Sequence, residues 1–131
     1  MNTGSTAFRV GIVGCGVIGQ KRARALGEGG LLVSCADVAV ERAKSLARAC
    51  GARVFQDWRE LVSSPAVDVV IIATLHDSLA EITLAAVQAG KHVLVEKPAA
   101  RNTAELDPVI AAAARHRVKV HVGFNHRYHR S

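Results

Sequence analysis

Short runs of Val, Ile and Leu alternate along the chain with longer, Ala-rich stretches in which apolar residues recur at helical spacing. Continuous apolar runs are typical of strands buried on both faces, and their alternation with amphipathic helices predicts a parallel sheet between two helical layers. The predicted strands cover residues 8–14, 31–36, 53–55, 68–73, 91–95 and 118–123. The predicted helices cover residues 17–28, 40–50, 58–63, 78–89 and 108–116. The pattern therefore predicts an α/β fold with three layers (αβα) and a doubly wound parallel sheet of about six strands.

Residues with special backbone preferences mark where the helices should begin and end. Gly51 and Gly90 follow the second and fourth predicted helices, and both are suited to a left-handed C-terminal cap. Asp107 followed by Pro108 is typical of a helix start, so the last helix is expected to begin there, after an irregular turn at 102–106. The fourth helix is expected to bury a stripe made of Leu79, Ile82, Ala86 and Ala89.

With 131 residues, half of them hydrophobic, the chain is expected to form one domain whose core needs no disulfides. No apolar stretch approaches the roughly 20 residues that span a bilayer, and residues 1–8 lack the basic start and apolar core of a signal peptide. We therefore expect no membrane partner and a cytoplasmic location. Cys15, Cys35 and Cys50 are spaced too widely for a disulfide framework or a metal-type pair, and are expected to be small buried residues in a reducing compartment.

The net charge of +6 comes from the end of the chain. Residues 1–114 contain 12 Lys and Arg against 11 Asp and Glu, whereas residues 115–131 contain five Lys and Arg, no acidic residue and four of the six His. Such a basic end could bind nucleic acid, or it could be a face that meets another part of a protein. No aromatic platform accompanies the charge, so we expect no nucleic-acid partner.

The first predicted strand runs directly into the turn Gly14-Cys15-Gly16-Val17-Ile18-Gly19, and a helix follows. Gly14 permits the tight turn, Gly16 lets the backbone approach a pyrophosphate, and Gly19 lets the helix pack closely on the sheet. The free N–H groups and the dipole of the helix would face the phosphates. Glycines also mark ordinary turns, but the flanking strand and helix favour a Rossmann-type dinucleotide-binding domain.

Asp37 lies at the end of the second predicted strand, 18 residues beyond Gly19. A carboxylate at this place accepts hydrogen bonds from the hydroxyls of the adenosine ribose and repels a 2′-phosphate, which favours NAD over NADP as the cofactor. The alternative is an acidic cap on the following helix. Arg42, one turn into that helix, could lie against the adenine or neutralise a phosphate, or it could be a solvated helix charge.

Polar residues follow three further strands, at the edge where open parallel sheets bind their ligands. Thr74 and His76 come after the fourth strand and are candidates to line the cofactor. Glu96 and Lys97 close the apolar fifth strand, where charges are costly unless they are paired or used. Lys97 could hydrogen-bond a substrate hydroxyl, whereas the alternative is a structural Glu–Lys ion pair. Asn125 follows the last strand, as a ligand contact would.

The histidines near the end of the chain do not form a convincing metal site. His121, His126 and His129 have a spacing that places the first inside a strand and the other two in an irregular tail. We therefore predict that the chain holds no metal.

Three separated motifs together resemble one family. The glycine turn, the segment AGKHVLVEKPAA at 89–100 and the closing GFNHRY at 123–128 are similar to those of the Gfo/Idh/MocA oxidoreductases, which act largely on sugars, cyclitols and related alcohols with NAD or NADP. The resemblance implies that Lys97 is catalytic and, with Glu96, reaches cofactor and substrate. It also implies that Asp37 contacts the ribose, that Thr74 and His76 flank the nicotinamide, and that Asn125 borders the active site. The residues that it implies for the pyrophosphate site are Gly14, Gly16, Val17, Ile18 and Gly19.

Two residues after the fourth strand depart from the family pattern. Leu75 stands where a proline is common, and Leu79 stands where a histidine is common. The shape and contacts of this loop are therefore not carried over from the family.

Members of this family continue into a second α/β domain that supplies most substrate contacts and the usual oligomer interface, and the present sequence has no residues for it. Residues 1–131 are accordingly expected to be the dinucleotide-binding domain of a truncated chain, with 124–131 beginning the connection to the substrate domain. A small polyhydroxy substrate and any homo-oligomer are expected only of the full-length parent. By itself the chain is expected to bind NAD(H) but to turn over substrate slowly or not at all.

Two functional hypotheses follow from these motifs. The chain is either part of an NAD-dependent dehydrogenase that acts on CH–OH groups, or a stand-alone NAD-binding regulatory module without catalysis. The segment Glu96-Lys97-Pro98 has no obvious use in the regulatory module, so the dehydrogenase is favoured.

Overall fold

A computed structural model describes residues 7–97 and 99–123 of the chain. Its strands are β1 (Phe8–Val13), β2 (Gly30–Ala36), β3 (Arg53–Phe55), β4 (Val69–Ile72), β5 (His92–Glu96) and β6 (Val120–Gly123). Its helices are α1 (Val17–Arg24), α2 (Val40–Arg48), α3 (Trp58–Val62), α4 (Leu79–Gln88) and α5 (Thr103–His116), with short 3-10 helices at Gly27–Gly29 and His76–Ser78.

The sheet has the strand order β3-β2-β1-β4-β5-β6, and every pairing in it is parallel. This is the strand order of the Rossmann fold, so the predicted fold class is confirmed. The direction of winding reverses between β1 and β4, where a crevice opens at the carboxyl ends of the strands. The predicted strands agree with these bounds to within two residues.

The core consists of two apolar clusters, and alternate residues of the central strands contribute to different clusters. In β1 and β4, Val13 and Ile72 belong to the larger cluster, which includes residues of α3, α4 and α5. Ile12 and Ile71 belong to the smaller one, which includes residues of α2. Because both faces of the central strands are covered here, residues 10–13 of β1 and 69–72 of β4 are all apolar or glycine, and these apolar runs predicted the strands.

The predicted start of the last helix was wrong. α5 begins at Thr103 because the Asn102 side chain caps it by accepting a hydrogen bond of 3.1 Å from the Glu105 N–H. Pro108 therefore lies inside the helix, where it forgoes one backbone hydrogen bond without ending it. Arg117, which follows the last residue of α5 as its C-cap, is left-handed (φ +56°) although it is not glycine.

Other local predictions had mixed outcomes. Gly51 and Gly90 have φ of +75° and +80°, which confirms both glycine caps. Ala89 lies beyond the end of α4 and is exposed, so it was wrongly included in the buried stripe.

Of the cysteines, Cys15 and Cys35 are buried, as predicted. Cys50 is exposed after the end of α2, so the prediction that it is buried was wrong.

Within the described residues, no helix combines the length and the hydropathy that crossing a membrane requires.

Candidate functional site

The parallel sheet brings the predicted site residues to one edge. The glycine turn follows β1, Asp37 follows β2, and Thr74 lies two residues beyond β4. Glu96 is the last residue of β5 and Lys97 comes directly after it. These residues flank the point between β1 and β4 where the strand order reverses, which is where ligands bind in open α/β sheets.

Two glycines of the turn are required by close contacts with the backbone. Gly14 has a left-handed φ of +94°, and a Cβ atom there would lie 2.5 Å from the Ala73 carbonyl oxygen at the end of β4. A Cβ atom on Gly19 would lie 1.9 Å from the carbonyl oxygen of Gly14. These distances are shorter than any van der Waals contact, so α1 can pack against the turn in this way only with glycine at both positions.

Gly16 differs from both, because it faces open space. A Cβ atom there would have the Arg42 Nη1, 4.0 Å away, as its nearest neighbour. Gly16 is also the N-cap of α1, and no side chain of the described residues caps this helix end. The first backbone N–H groups of α1 therefore remain available to an anion that approaches the Gly16 backbone, as a pyrophosphate would.

The side chains that flank this helix start are unusually exposed for apolar residues. Val17 is 78% exposed and Ile18 is 41% exposed, although both begin a helix whose Gly19 is buried. Arg42 extends from the exposed face of α2 to the same opening. The opening thus combines a positive charge, free helix N–H groups and apolar contact surface.

The carboxylate of Asp37 is fixed by two backbone donors. Its Oδ2 accepts a hydrogen bond of 2.6 Å from the Cys15 N–H in the glycine turn, and its Oδ1 accepts one of 2.7 Å from the Ala39 N–H. Ala39 is the N-cap of α2, so Asp37 contacts the start of that helix, as the alternative interpretation of an acidic cap expects. The carboxylate joins the end of β2 to the turn, and each oxygen retains a lone pair for a hydroxyl group.

The loop after β4 is held by its own hydroxyl groups. Ser78 Oγ lies 2.8 Å from Thr74 Oγ1 and 3.0 Å from the Leu75 carbonyl oxygen. His76 is the first residue of the 3-10 helix that follows. Of the two residues that depart from the family pattern, Leu75 is 79% exposed at the crevice, whereas Leu79 is fully buried in the core.

Glu96 has a partner that the sequence analysis missed. Its Oε2 lies 2.5 Å from Nε of Arg22, on α1, and the two side chains are only 14% and 19% exposed. The residues are 74 positions apart, and no local pattern distinguishes Arg22 from the other basic residues of α1 as the one that makes this contact. The Glu96 carboxylate is therefore directed toward α1, whereas Lys97 is exposed beside the crevice.

The backbone beyond Glu96 turns sharply. The Ala99 N–H donates a hydrogen bond of 3.0 Å to the Glu96 carbonyl oxygen, and Ala99 is buried with a left-handed φ of +67°. A non-glycine residue in this conformation costs about 1 kcal/mol or more, and such strain is concentrated at functional sites. The turn fixes the direction in which the chain leaves β5 at Lys97.

The end of β6 completes this side of the crevice. A Cβ atom on Gly123 would lie 2.7 Å from Nη2 of Arg22 and 3.1 Å from Oε2 of Glu96. Asn125, a predicted contact, lies outside the described residues, as do His126 and His129. Within the described part of the chain no three His, Cys, Asp or Glu side chains are grouped closely enough to bind a metal.

A second group of charged residues lies at the opposite edge of the sheet, where the strands begin. Nζ of the buried Lys91 donates hydrogen bonds of 2.6 and 2.7 Å to the carbonyl oxygens of Ser64 and Val67, and desolvation lowers the pKa of Lys91. Arg9, through its hydrogen bonds, lowers the pKa of Asp68 to about 2. These contacts hold the loop that leads into β4 and lie away from the crevice.

Comparison with known proteins agrees with this geometry. Residues 8–124 match the Gfo/Idh/MocA profile, described as an oxidoreductase family with an NAD-binding Rossmann fold. Inositol 2-dehydrogenase 3 of Saccharopolyspora erythraea is 39% identical over 124 residues, which are 92% of this chain and 37% of that enzyme. The chain thus spans little more than a third of the length of this curated relative.

Two solved structures are similar to this chain and hold different cofactors. GenD2 from gentamicin A biosynthesis, in complex with NAD, superposes with a TM-score of 0.88 and is 28% identical; the match covers 98% of this chain and 38% of that one. Biliverdin reductase from Synechocystis, in complex with biliverdin and NADP+, has a TM-score of 0.83 and 35% identity, with 89% and 38% covered.

Proposed function

The chain belongs to the Gfo/Idh/MocA oxidoreductase family and comprises its NAD-binding Rossmann domain, and on that premise we propose that it binds NAD in preference to NADP. The observation that carries the proposal is the opening at Gly16, beside which the Asp37 carboxylate accepts a hydrogen bond from the Cys15 N–H. This opening fits a pyrophosphate, because the free N–H groups of α1 and the guanidinium of Arg42 are positively charged or polarised and the phosphates are negative.

The preference for NAD rests on Asp37. In the proposed complex its carboxylate accepts hydrogen bonds from the adenosine ribose hydroxyls, and the same negative charge disfavours a 2′-phosphate. Relatives are seen with either cofactor, so the fold alone does not decide between them. The fixed carboxylate at this position supports NAD.

We propose that the longer enzyme to which this domain belongs oxidises a sugar, a cyclitol or a related alcohol. The names of several curated relatives, all inositol dehydrogenases, support this substrate class. The nicotinamide of NAD would accept the hydride from the alcohol carbon. The proposed role of Lys97 is to hydrogen-bond the alcohol oxygen and help remove its proton, and Thr74 and His76 would line the same side of the crevice.

We also propose a cytoplasmic location. The free thiols of Cys15, Cys35 and Cys50 support it, since such thiols persist in a reducing compartment.

Calorimetric titration of the 131-residue chain tests the cofactor proposal. We expect NADH to bind at least about tenfold more tightly than NADPH, which corresponds to about 1.4 kcal/mol. Equal or tighter binding of NADPH would contradict the role given to Asp37, and failure of both dinucleotides to bind would contradict the cofactor site. The chain alone should not oxidise myo-inositol in the presence of NAD; turnover would show that the substrate residues lie within it.

A further inference from the structure

The ion pair between Arg22 and Glu96 joins two parts of the crevice. Arg22 is the sixth residue of α1, the helix that starts at the glycine turn, whereas Glu96 ends β5. Their contact is 2.5 Å long, and more than four-fifths of each side chain is shielded from solvent. Two charges are withdrawn from water at considerable cost in free energy, so this contact differs from the exposed ion pairs elsewhere on the surface.

The pair lies on the side of the crevice away from Asp37. The winding of the sheet reverses between β1 and β4; Asp37 follows β2 on one side of this point, and Glu96 ends β5 on the other. If Asp37 holds the adenosine half of the cofactor, the other half extends toward β5. Glu96 is directly followed by Lys97, so any movement of Glu96 is transmitted through the backbone to the lysine.

We propose that Arg22 is a positioning residue for the nicotinamide half of the cofactor, which it serves by neutralising and holding Glu96. The inference rests on the proposed function. A carboxylate shielded this far from solvent would, without a counter-charge, draw water into the part of the crevice that the nicotinamide half is to occupy. With Arg22 in place, the carboxylate is oriented and electrically balanced, and the turn that carries Lys97 keeps its position.

The end of β6 supports the same arrangement. Gly123 leaves room for the pair, because a Cβ atom there would press on Nη2 of Arg22 at 2.7 Å and on Oε2 of Glu96 at 3.1 Å. Gly123 has no left-handed φ, so the backbone itself does not require glycine. The absence of a side chain at this position thus serves the ion pair.

Comparing two ligands tests the proposal on the 131-residue chain. ADP carries the adenosine and the two phosphates, whereas NADH carries the nicotinamide half as well. We expect Arg22→Met to weaken NADH binding about tenfold or more and ADP binding less than twofold, and Gly123→Ala to act in the same direction. Adding Glu96→Gln to Arg22→Met should recover most of the NADH affinity, because the unbalanced charge is then gone. Arg24→Met, on the same helix, is the control and should change neither affinity.

The outcomes are distinguishable. If the unchanged chain binds neither NADH nor ADP, the proposed function fails. If the unchanged chain binds both ligands but Arg22→Met weakens NADH and ADP equally, or weakens neither, the role of Arg22 is overturned. The same conclusion follows if adding Glu96→Gln restores no NADH affinity. Should Arg22→Met unfold the chain, as judged by circular dichroism, Arg22→Lys replaces it: this variant retains the charge and changes the geometry. It should weaken NADH at least threefold with ADP unchanged, and equal effects on both ligands would overturn the proposal.

Discussion

The Asp37 carboxylate accepts a 2.6 Å hydrogen bond from the backbone N–H of Cys15, so the residue expected to select the cofactor also shapes the turn expected to hold its phosphates. Its other oxygen accepts the Ala39 N–H at the start of α2. A carboxylate has an acceptor on each side and can serve both donors. An amide has one oxygen and one NH2 group and can serve only one of them.

Asp37→Asn should therefore affect stability and cofactor choice together. We expect a loss of about 1–3 kcal/mol in the free energy of unfolding, because one backbone N–H loses its acceptor and faces another donor. NADPH should gain affinity relative to NADH, because the charge that disfavours the 2′-phosphate is gone. Urea denaturation and calorimetric titration measure the two effects.

The control for Asp37→Asn is Asp57→Asn. Asp57 also accepts a backbone N–H, from Arg59 at 2.9 Å, but it caps α3 after the edge strand β3, which β2 separates from β1 and β4, and asparagine is an equally good N-cap. This variant should leave both stability and affinities nearly unchanged. An Asp37→Asn variant that keeps its preference for NADH would show that another group selects the cofactor.

A substitution at Gly16 should affect cofactor binding by the glycine turn without affecting folding. Gly16→Ala should fold with little change in stability, because φ is −77° and the nearest atom to the new Cβ is 4.0 Å away. The methyl group would occupy the approach to the backbone, so NADH affinity should fall at least about tenfold. Gly19→Ala should instead prevent normal folding, since its Cβ would lie 1.9 Å from a carbonyl oxygen.

Thermal unfolding and NADH titration of the two glycine variants check this difference. Gly29→Ala, which adds a Cβ with no atom within 4 Å, is the control for the glycine-to-alanine change itself. Unchanged NADH affinity in Gly16→Ala would mean that the pyrophosphate does not approach this part of the backbone.

The sequence predicted features that local patterns encode and missed those that depend on distant contacts. Buried strands and the glycine turn follow from composition and spacing, so the sheet, Gly14, Gly19 and the position of Asp37 were predicted. The bond from Asp37 to the Cys15 N–H depends on how the ends of β1 and β2 are spaced, which no local pattern records. The Arg22–Glu96 pair joins residues 74 positions apart and was missed for the same reason.

The predicted start of α5 was wrong for a different reason, because two segments of the sequence have the pattern of a helix start. Asp107-Pro108 has the pattern of a helix start, but Asn102 has the same capping ability one and a half turns earlier. Glu105 decides the outcome, since its carboxylate accepts the Arg101 N–H at 2.6 Å and pairs with the Arg101 guanidinium at 2.8 Å. The earlier cap thus has additional support that the later one lacks.

The left-handed residue at the end of α5 offers a stabilising change. Arg117 has φ +56° and is exposed, and a non-glycine residue in this conformation is strained. Arg117→Gly should raise the free energy of unfolding by about 0.5–1 kcal/mol, measured by urea denaturation. Arg115→Gly, within the helix, should lower it by a similar amount. A loss of stability in Arg117→Gly would mean that the arginine side chain makes a contact worth more than the strain.

The contact between Asp68 and Arg9 should make stability depend on pH in the acid range. Hydrogen bonds from the Arg9 side chain and backbone lower the pKa of Asp68 from its usual 3.8 to about 2. A carboxyl group whose pKa is lowered by folding contributes stability that is fully present above its unfolded pKa and is lost as the pH falls through the folded one. The contribution should therefore be complete above about pH 5 and absent below about pH 1.5.

Asp68→Asn should accordingly destabilise the chain at pH 7 and much less at pH 2. Because the pair is partly exposed, with side chains 47% and 35% accessible, solvent screening limits the difference to about 1 kcal/mol. Asp107→Asn removes the same charge from the exposed face of α5 and is the control. Urea denaturation of both variants at a series of pH values measures the effect. A difference between wild type and Asp68→Asn that stays constant from pH 7 to pH 2 would show that the carboxylate's packing, and not its charge, stabilises this edge of the sheet.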